Sequence, residues 1–94
     1  MNEKITGEKL EKYFAVTKKA LEKAESSGNR AKLKAEREDF LDMIKSYISD
    51  AEHFKSKGDI VNAFACLNYA HGWLDAGARL GIFDVHDSEL FTVD

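Results

Sequence analysis

Residues 59–81, DIVNAFACLNYAHGWLDAGARLG, decide the fold of this 94-residue chain. Ile60, Phe64, Leu67, His71, Leu74 and Ala78 recur at spacings of four and three, the period of one helix face. Cys66, Tyr69, Trp73 and Leu80 fall on an adjacent face and widen the apolar arc past half the circumference. Only a narrow strip with Asn68, Asp75 and Arg79 is clearly polar. Ala63, Ala70 and Gly77 recur beside the seam, where small side chains let another backbone come close. A helix this apolar is buried on more than one side, so the rest of the chain must supply its neighbours. Asp59 is placed to cap its start, and Gly81 fits a left-handed stop followed by the apolar Ile82.

Toward the N-terminus, the spacing predicts a second helix over about residues 30–57, closed by Gly58. Its stripe is Leu33, Arg37, Phe40, Ile44, Tyr47 with Ile48, Ala51 and Phe54. A first helix is expected over about residues 6–25, capped by Thr6, with Leu10, Phe14, Thr17, Leu21 and Ala24 on one face. Tyr13 and Ala20 widen that face, and Gly28 suits a left-handed C-cap in the turn that follows. Residues 1–5 read as a loose lead-in, and residues 1–12, MNEKITGEKLEK, lack the apolar core of a secretory signal.

Short turns make successive helices antiparallel neighbours. The expected fold is therefore all-α: an antiparallel up-down-up three-helix bundle with a long middle helix, in one domain spanning 1–94. In that register the first helix lies opposite residues 30–48 of the second, and the third lies opposite residues 37–57. The tail, residues 82–94, interleaves Ile82, Phe83, Val85, Leu90, Phe91 and Val93 with Asp84, Asp87, Glu89 and Asp94. It is expected to pack back on the bundle, cover the Tyr69/Trp73 face and partly neutralise a basic end.

That basic end follows from an uneven charge. Residues 1–38 carry ten Lys/Arg and seven Glu, whereas residues 39–94 carry four Lys/Arg and ten Asp/Glu, so the net −3 hides opposite halves. One Cys excludes an intramolecular disulfide, and no apolar run approaches the roughly 20 residues that span a bilayer. A cytoplasmic setting with no membrane contact is the expectation.

Residues 50–83, DAEHFKSKGDIVNAFACLNYAHGWLDAGARLGIF, resemble the signature of an archaeal family known only as domain of unknown function number 357. The matching positions are Asp50-Ala51, Gly58-Asp59, Ala63-Phe64, Tyr69-Ala70-His71-Gly72, Leu74-Asp75-Ala76-Gly77 and Leu80-Gly81. The resemblance implies a small helical bundle and supplies no reaction, ligand or catalytic residue.

Candidate chemistry is sparse. Asn68, His71 and Asp75 share one face and form a candidate ligand-binding cluster, yet the same spacing suits a seam histidine bonded to Asp75. Asp75 and Arg79, four apart, could instead form a surface ion pair. Asp50 and His53 are three apart, half of a bundle metal site, but the register sets His53 too far from His71 for one coordination shell. No metal and no cofactor is therefore assigned. Cys66 and His71 diverge around the helix and cannot act together, so Cys66 reads as a small buried side chain. Phosphate-binding and nucleophile-elbow motifs are missing from the chain, which leans the reading away from an enzyme, and no catalytic residue is named. Arg30, Lys32, Lys34 and Arg37, with Lys18, Lys19 and Lys23, could contact nucleic acid. Interspersed Glu and the acidic net charge disfavour that partner.

The arc on the third helix is too wide for two neighbours, which points to an interaction or assembly module. Its expected contact residues are Tyr69, Trp73 and Leu80, with Phe54 and Phe64 at the other end. The partner is either another protein or a second copy. A ligand- or metal-binding bundle is the alternative, and nucleic-acid contact at the basic tip is a third.

Overall fold

The computed structural model describes residues 6–29 and 32–91. The expected lead-in at 1–5, Arg30 of the basic patch and the end of the tail lie outside the described residues. Three helices follow in order: α1 Gly7–Ser26, α2 Lys34–Ser56 and α3 Ile60–Leu80. The protein is all-α, with no strand among the described residues.

Local chemistry sets most of the helix ends. The Thr6 hydroxyl accepts a hydrogen bond from the Lys9 amide at 3.0 Å, and the Asp59 carboxylate accepts one from the Asn62 amide at 3.1 Å. Each satisfies a donor that a helix start leaves orphaned. Gly58 and Gly81 sit at φ 79° and 80°, the left-handed region where a Cβ is costly. There the chain reverses: the Asp59 amide donates to the Phe54 carbonyl, and the Ile82 amide to the Gly77 carbonyl. Both are Schellman stops, as their sequence suggests.

The end of α1 differs from expectation. Ser27, not a left-handed Gly28, follows the helix in an extended conformation, and the positive φ falls on Lys32 at 58°. The last helix carbonyls are closed by the hydroxyls of Ser26 and Ser27 and by Arg37 of α2 instead. Its guanidinium lies within hydrogen-bonding distance of the carbonyls of Ala24, Glu25, Ser27, Gly28 and Ile82, at 2.9–3.3 Å. Five N–H donors in a planar fork allow one side chain to serve three pieces of backbone. The connection that Arg37 fastens is longer than a tight turn, so α2 begins at Lys34 rather than 30, and Leu33 is an exposed cap position instead of a stripe residue.

Up-down-up order is marked by cross-helix pairs. Glu11 pairs with Lys55, Lys18 with Glu52 at 2.8 Å and Glu25 with Lys45 at 3.0 Å, so α1 runs antiparallel to α2. Phe40 meets Trp73 and Tyr47 meets Tyr69, so α2 and α3 are antiparallel as well. The α1 pairs place that helix against residues 45–55 of α2, toward its C-terminal end and not against 30–48. The longer first connection causes this shift. α3 packs extensively on α2 and substantially on α1, while α1 and α2 meet only sparsely. Ala63, Ala70 and Gly77, all buried, allow the close approach on α3.

The space left beside the start of α2 is taken by the tail. Ile82, Phe83, Val85, Leu90 and Phe91 are buried, and the Asp84 amide donates to the Gly28 carbonyl at 2.9 Å. Lys23 reaches Asp87 at 2.9 Å, which neutralises one charge of the basic end. That hydrogen bond holds the Asp87 carboxyl below its ordinary range. A depressed carboxyl stabilises above its unfolded value, so the contact stands at neutral pH and is lost only as acid protonates it. The tail does not cover Tyr69, which stays 62% exposed. Arg37 and the Gly28 carbonyl hold it at the far end of α1 instead.

Arg37→Lys is expected to lower unfolding free energy by about 2 kcal/mol in a urea titration, because a single ammonium cannot span the carbonyl cluster. Two glycines on α3 should respond with opposite sign. A Cβ on Gly77 would collide with the ring of the fully buried Phe83, whereas one on Gly72 meets nothing. Gly77→Ala should destabilise by about 1–3 kcal/mol, and Gly72→Ala should stabilise by up to about 1 kcal/mol.

Candidate functional site

The polar cluster foreseen on α3 lies in the seam with α1. The Tyr13 hydroxyl donates to Asn68 Oδ1 at 2.8 Å, and its ring stacks on Phe64 and on His71 with centroids 4.8 and 6.0 Å apart. Burial first, and then the charge of Asp75, push the Tyr13 phenol above its ordinary value. His71 Nε2 is 3.9 Å from Asp75 Oδ1, too long for the hydrogen bond expected between them. His71 Nδ1 is buried with no hydrogen-bond partner among the described residues. The three candidate ligand-binding residues are thus close together, but one is taken by Tyr13 and another is covered by its ring.

His53 is exposed beside Phe54, on α2, and does not join His71. Among the described residues, no group of three or more His, Cys, Asp or Glu converges as a metal site. Cys66 is half-buried, and its thiol is pushed up by burial and by the charge of Asp50. It therefore stays protonated at neutral pH, a poor nucleophile. The basic tip is also committed internally. Arg37 faces carbonyls, and Lys18 and Lys23, though exposed, pair with Glu52 and Asp87, while Lys19, Lys32 and Lys34 are exposed as well.

The outer face of α3 is different in kind. Val61, Tyr69 and Leu80 are 67%, 62% and 56% exposed, and they are three of the four large apolar side chains so exposed among the described residues. Ala65, Gly72 and Ala76 fall between them on the same third of the helix. Trp73 stands at the edge of this face, held by an edge-on contact with Phe40 at 4.8 Å. Together Phe40, Asn68, Tyr69, Gly72, Trp73 and Ala76 line a shallow groove of about 350 Å³. The groove floor is low because Gly72 and Ala76 have almost no side chain.

Of the expected contact residues, Tyr69, Trp73 and Leu80 share this face. Phe54 and Phe64 do not: both are half-buried against the core, and Phe64 is stacked under Tyr13. Phe40, Gly72 and Ala76 escaped the sequence reading. The spacing 65, 69, 72, 76, 80 could have found the two small residues, since it is itself a helical stripe.

The sequence profile of DUF357, a protein family of unknown function, matches residues 12–83, and the chain belongs to that family. The matched region includes α2 and α3 whole. No curated protein and no solved structure matches the chain. No helix among the described residues is long and apolar enough to cross a membrane.

If His71 serves packing rather than a ligand, replacing it should cost little, because its buried nitrogen has no partner to lose. His71→Leu is expected to change stability by less than about 1 kcal/mol in a urea titration. A loss several times larger would mean that the ring holds an essential polar partner.

Proposed function

We propose that the chain is a non-enzymatic interaction module that receives a helix of another protein along the outer face of α3. The observation that carries this reading is the stripe of Val61, Tyr69 and Leu80 exposed along one face of α3, with Tyr69 at a groove that Gly72 and Ala76 also line. Fully covering a side chain of this size is worth about 1.5–3 kcal/mol. Two or three such anchors along one face suffice for specific docking. A helix is the natural occupant, since its apolar stripe matches a straight groove along α3. The single cysteine supports a reducing, cytosolic setting.

The ligand-binding alternative has weaker support, because Asn68 and His71 are occupied by Tyr13. Nucleic-acid contact is weakened in the same way by the internal pairing of Arg37, Lys18 and Lys23.

A photo-crosslinking residue placed at Ala76 tests the reading in cells that make the protein. The expected result is one discrete heterologous adduct, identified by mass spectrometry, that disappears with Leu80→Lys and is missing when the crosslinker is at Lys19. Adducts only between copies of this chain would replace the partner with self-association. The same adducts from Lys19 and Ala76 would end the proposal.

A further inference from the structure

The groove has two unlike rims, and their charge says what kind of helix fits it. On the α2 side, Phe40 and Tyr47 mark the line where α2 meets α3. Helical spacing places Glu36, Asp39, Met43 and Asp50 just outward of that line: Glu36 is one turn before Phe40, and Met43 one turn before Tyr47. Glu36, Asp39 and Asp50 are all exposed. The charge of Asp50 is felt by Cys66 on α3, so this flank of α2 stands near α3. Among the described residues, a cation shares this flank only at its far end, where Lys57 follows Asp50 by seven residues. Arg37 is turned into the carbonyl cluster, and Lys45 lies on the opposite flank, paired with Glu25 of α1. On α3 itself Arg79 is the one Lys or Arg.

We infer that the groove takes a cationic amphipathic helix of a partner protein, its apolar stripe on Tyr69, Gly72 and Ala76 and its Lys/Arg edge along Glu36, Asp39 and Asp50. This rests on the docking function proposed above and adds the chemistry of the partner. A second copy of the chain fits less well. Its α3 would bring one arginine, while its α2 would bring the same three acids against the first set. Like charges brought together at a rim oppose association, whereas opposite charges speed encounter and fix orientation. An acidic or neutral helix would gain the apolar contacts and forgo the rim.

Two synthetic peptides of about 18 residues, long enough for five helical turns, provide the probe. They share one leucine stripe and contain no Trp; one is flanked by Lys, the other by Glu. Trp73, the single tryptophan, reports binding by its emission. The Lys-flanked peptide is expected to bind at least about tenfold tighter, with a preference that shrinks as salt rises. The triple variant Glu36→Gln, Asp39→Asn, Asp50→Asn should erase that preference and retain the stripe-driven binding. Gly72→Leu fills the groove and should abolish binding of both peptides, with circular dichroism confirming that each variant folds.

Equal affinity for the two peptides would overturn the inference and leave the docking function standing. No response to either peptide would remove both. Binding of the Lys peptide that survives Gly72→Leu would be charge adhesion outside the groove, and would also overturn the inference. So would a wild-type dimer in sedimentation that Gly72→Leu converts to monomer, since the occupant would then be a second copy.

Discussion

Arg37 carries a full charge into a place where, among the described residues, it meets carbonyls and no carboxylate. Its guanidinium is surrounded by five peptide carbonyls, from the last turn of α1, the following loop and the first residue of the tail. A helix end exposes four carbonyls that no internal donor can reach, and their partial negative charge favours a cation. The arginine fork satisfies that end and the tail at once, and its flat face lies over the Phe83 ring at 5.5 Å. Phe83 in turn fills the space above Gly77, where any larger residue on α3 would collide. One side chain on α2 therefore holds α1, the tail and, through Phe83, the end of α3 in a fixed relation.

This arrangement decides what is left in water. The tail is drawn toward the carbonyl cluster and Lys23, so it closes the corner between the end of α1 and the start of α2. It is not available to cover the opposite side of the molecule. α3 is flanked by α2 on one side and α1 on another, and the two flanking helices barely touch each other. The remaining third of α3 has no neighbour among the described residues, although Val61, Tyr69 and Leu80 lie on it beside Asn62, Asn68 and Arg79. The candidate site is thus a consequence of where the tail is fastened.

Much of the fold was legible in the chain. Thr6, Asp59, Gly58 and Gly81 mark helix ends through local chemistry, which a sequence states directly. Phe14, Ile44, Leu67 and Leu74 lie on the buried faces that the helical period assigns to them. The end of α1 was misread because Gly28 looks like a left-handed cap, while the last carbonyls are served by Ser26, Ser27 and, from α2, a residue nine positions on. Leu33 was misplaced for the same reason. The site was half legible: Tyr69, Trp73 and Leu80 announce an apolar excess, but whether it is covered depends on the path of the tail. His71 and Asp75 illustrate the opposite case, since correct spacing on a helix brought them near without forming the expected bond.

The sequence by itself determined the number of helices, their order and the buried stripe of each, because period, caps and turns act over a few residues. It also determined that α3 carries more apolar surface than two neighbours can cover. Only the tertiary structure decided which part of that surface stays open. The register of α1 against α2, the fastening of the tail by Arg37 and the inward turn of Phe83 all depend on contacts between residues far apart in the chain. Such contacts have no local signature, since a guanidinium finds its carbonyls only after the helices have packed.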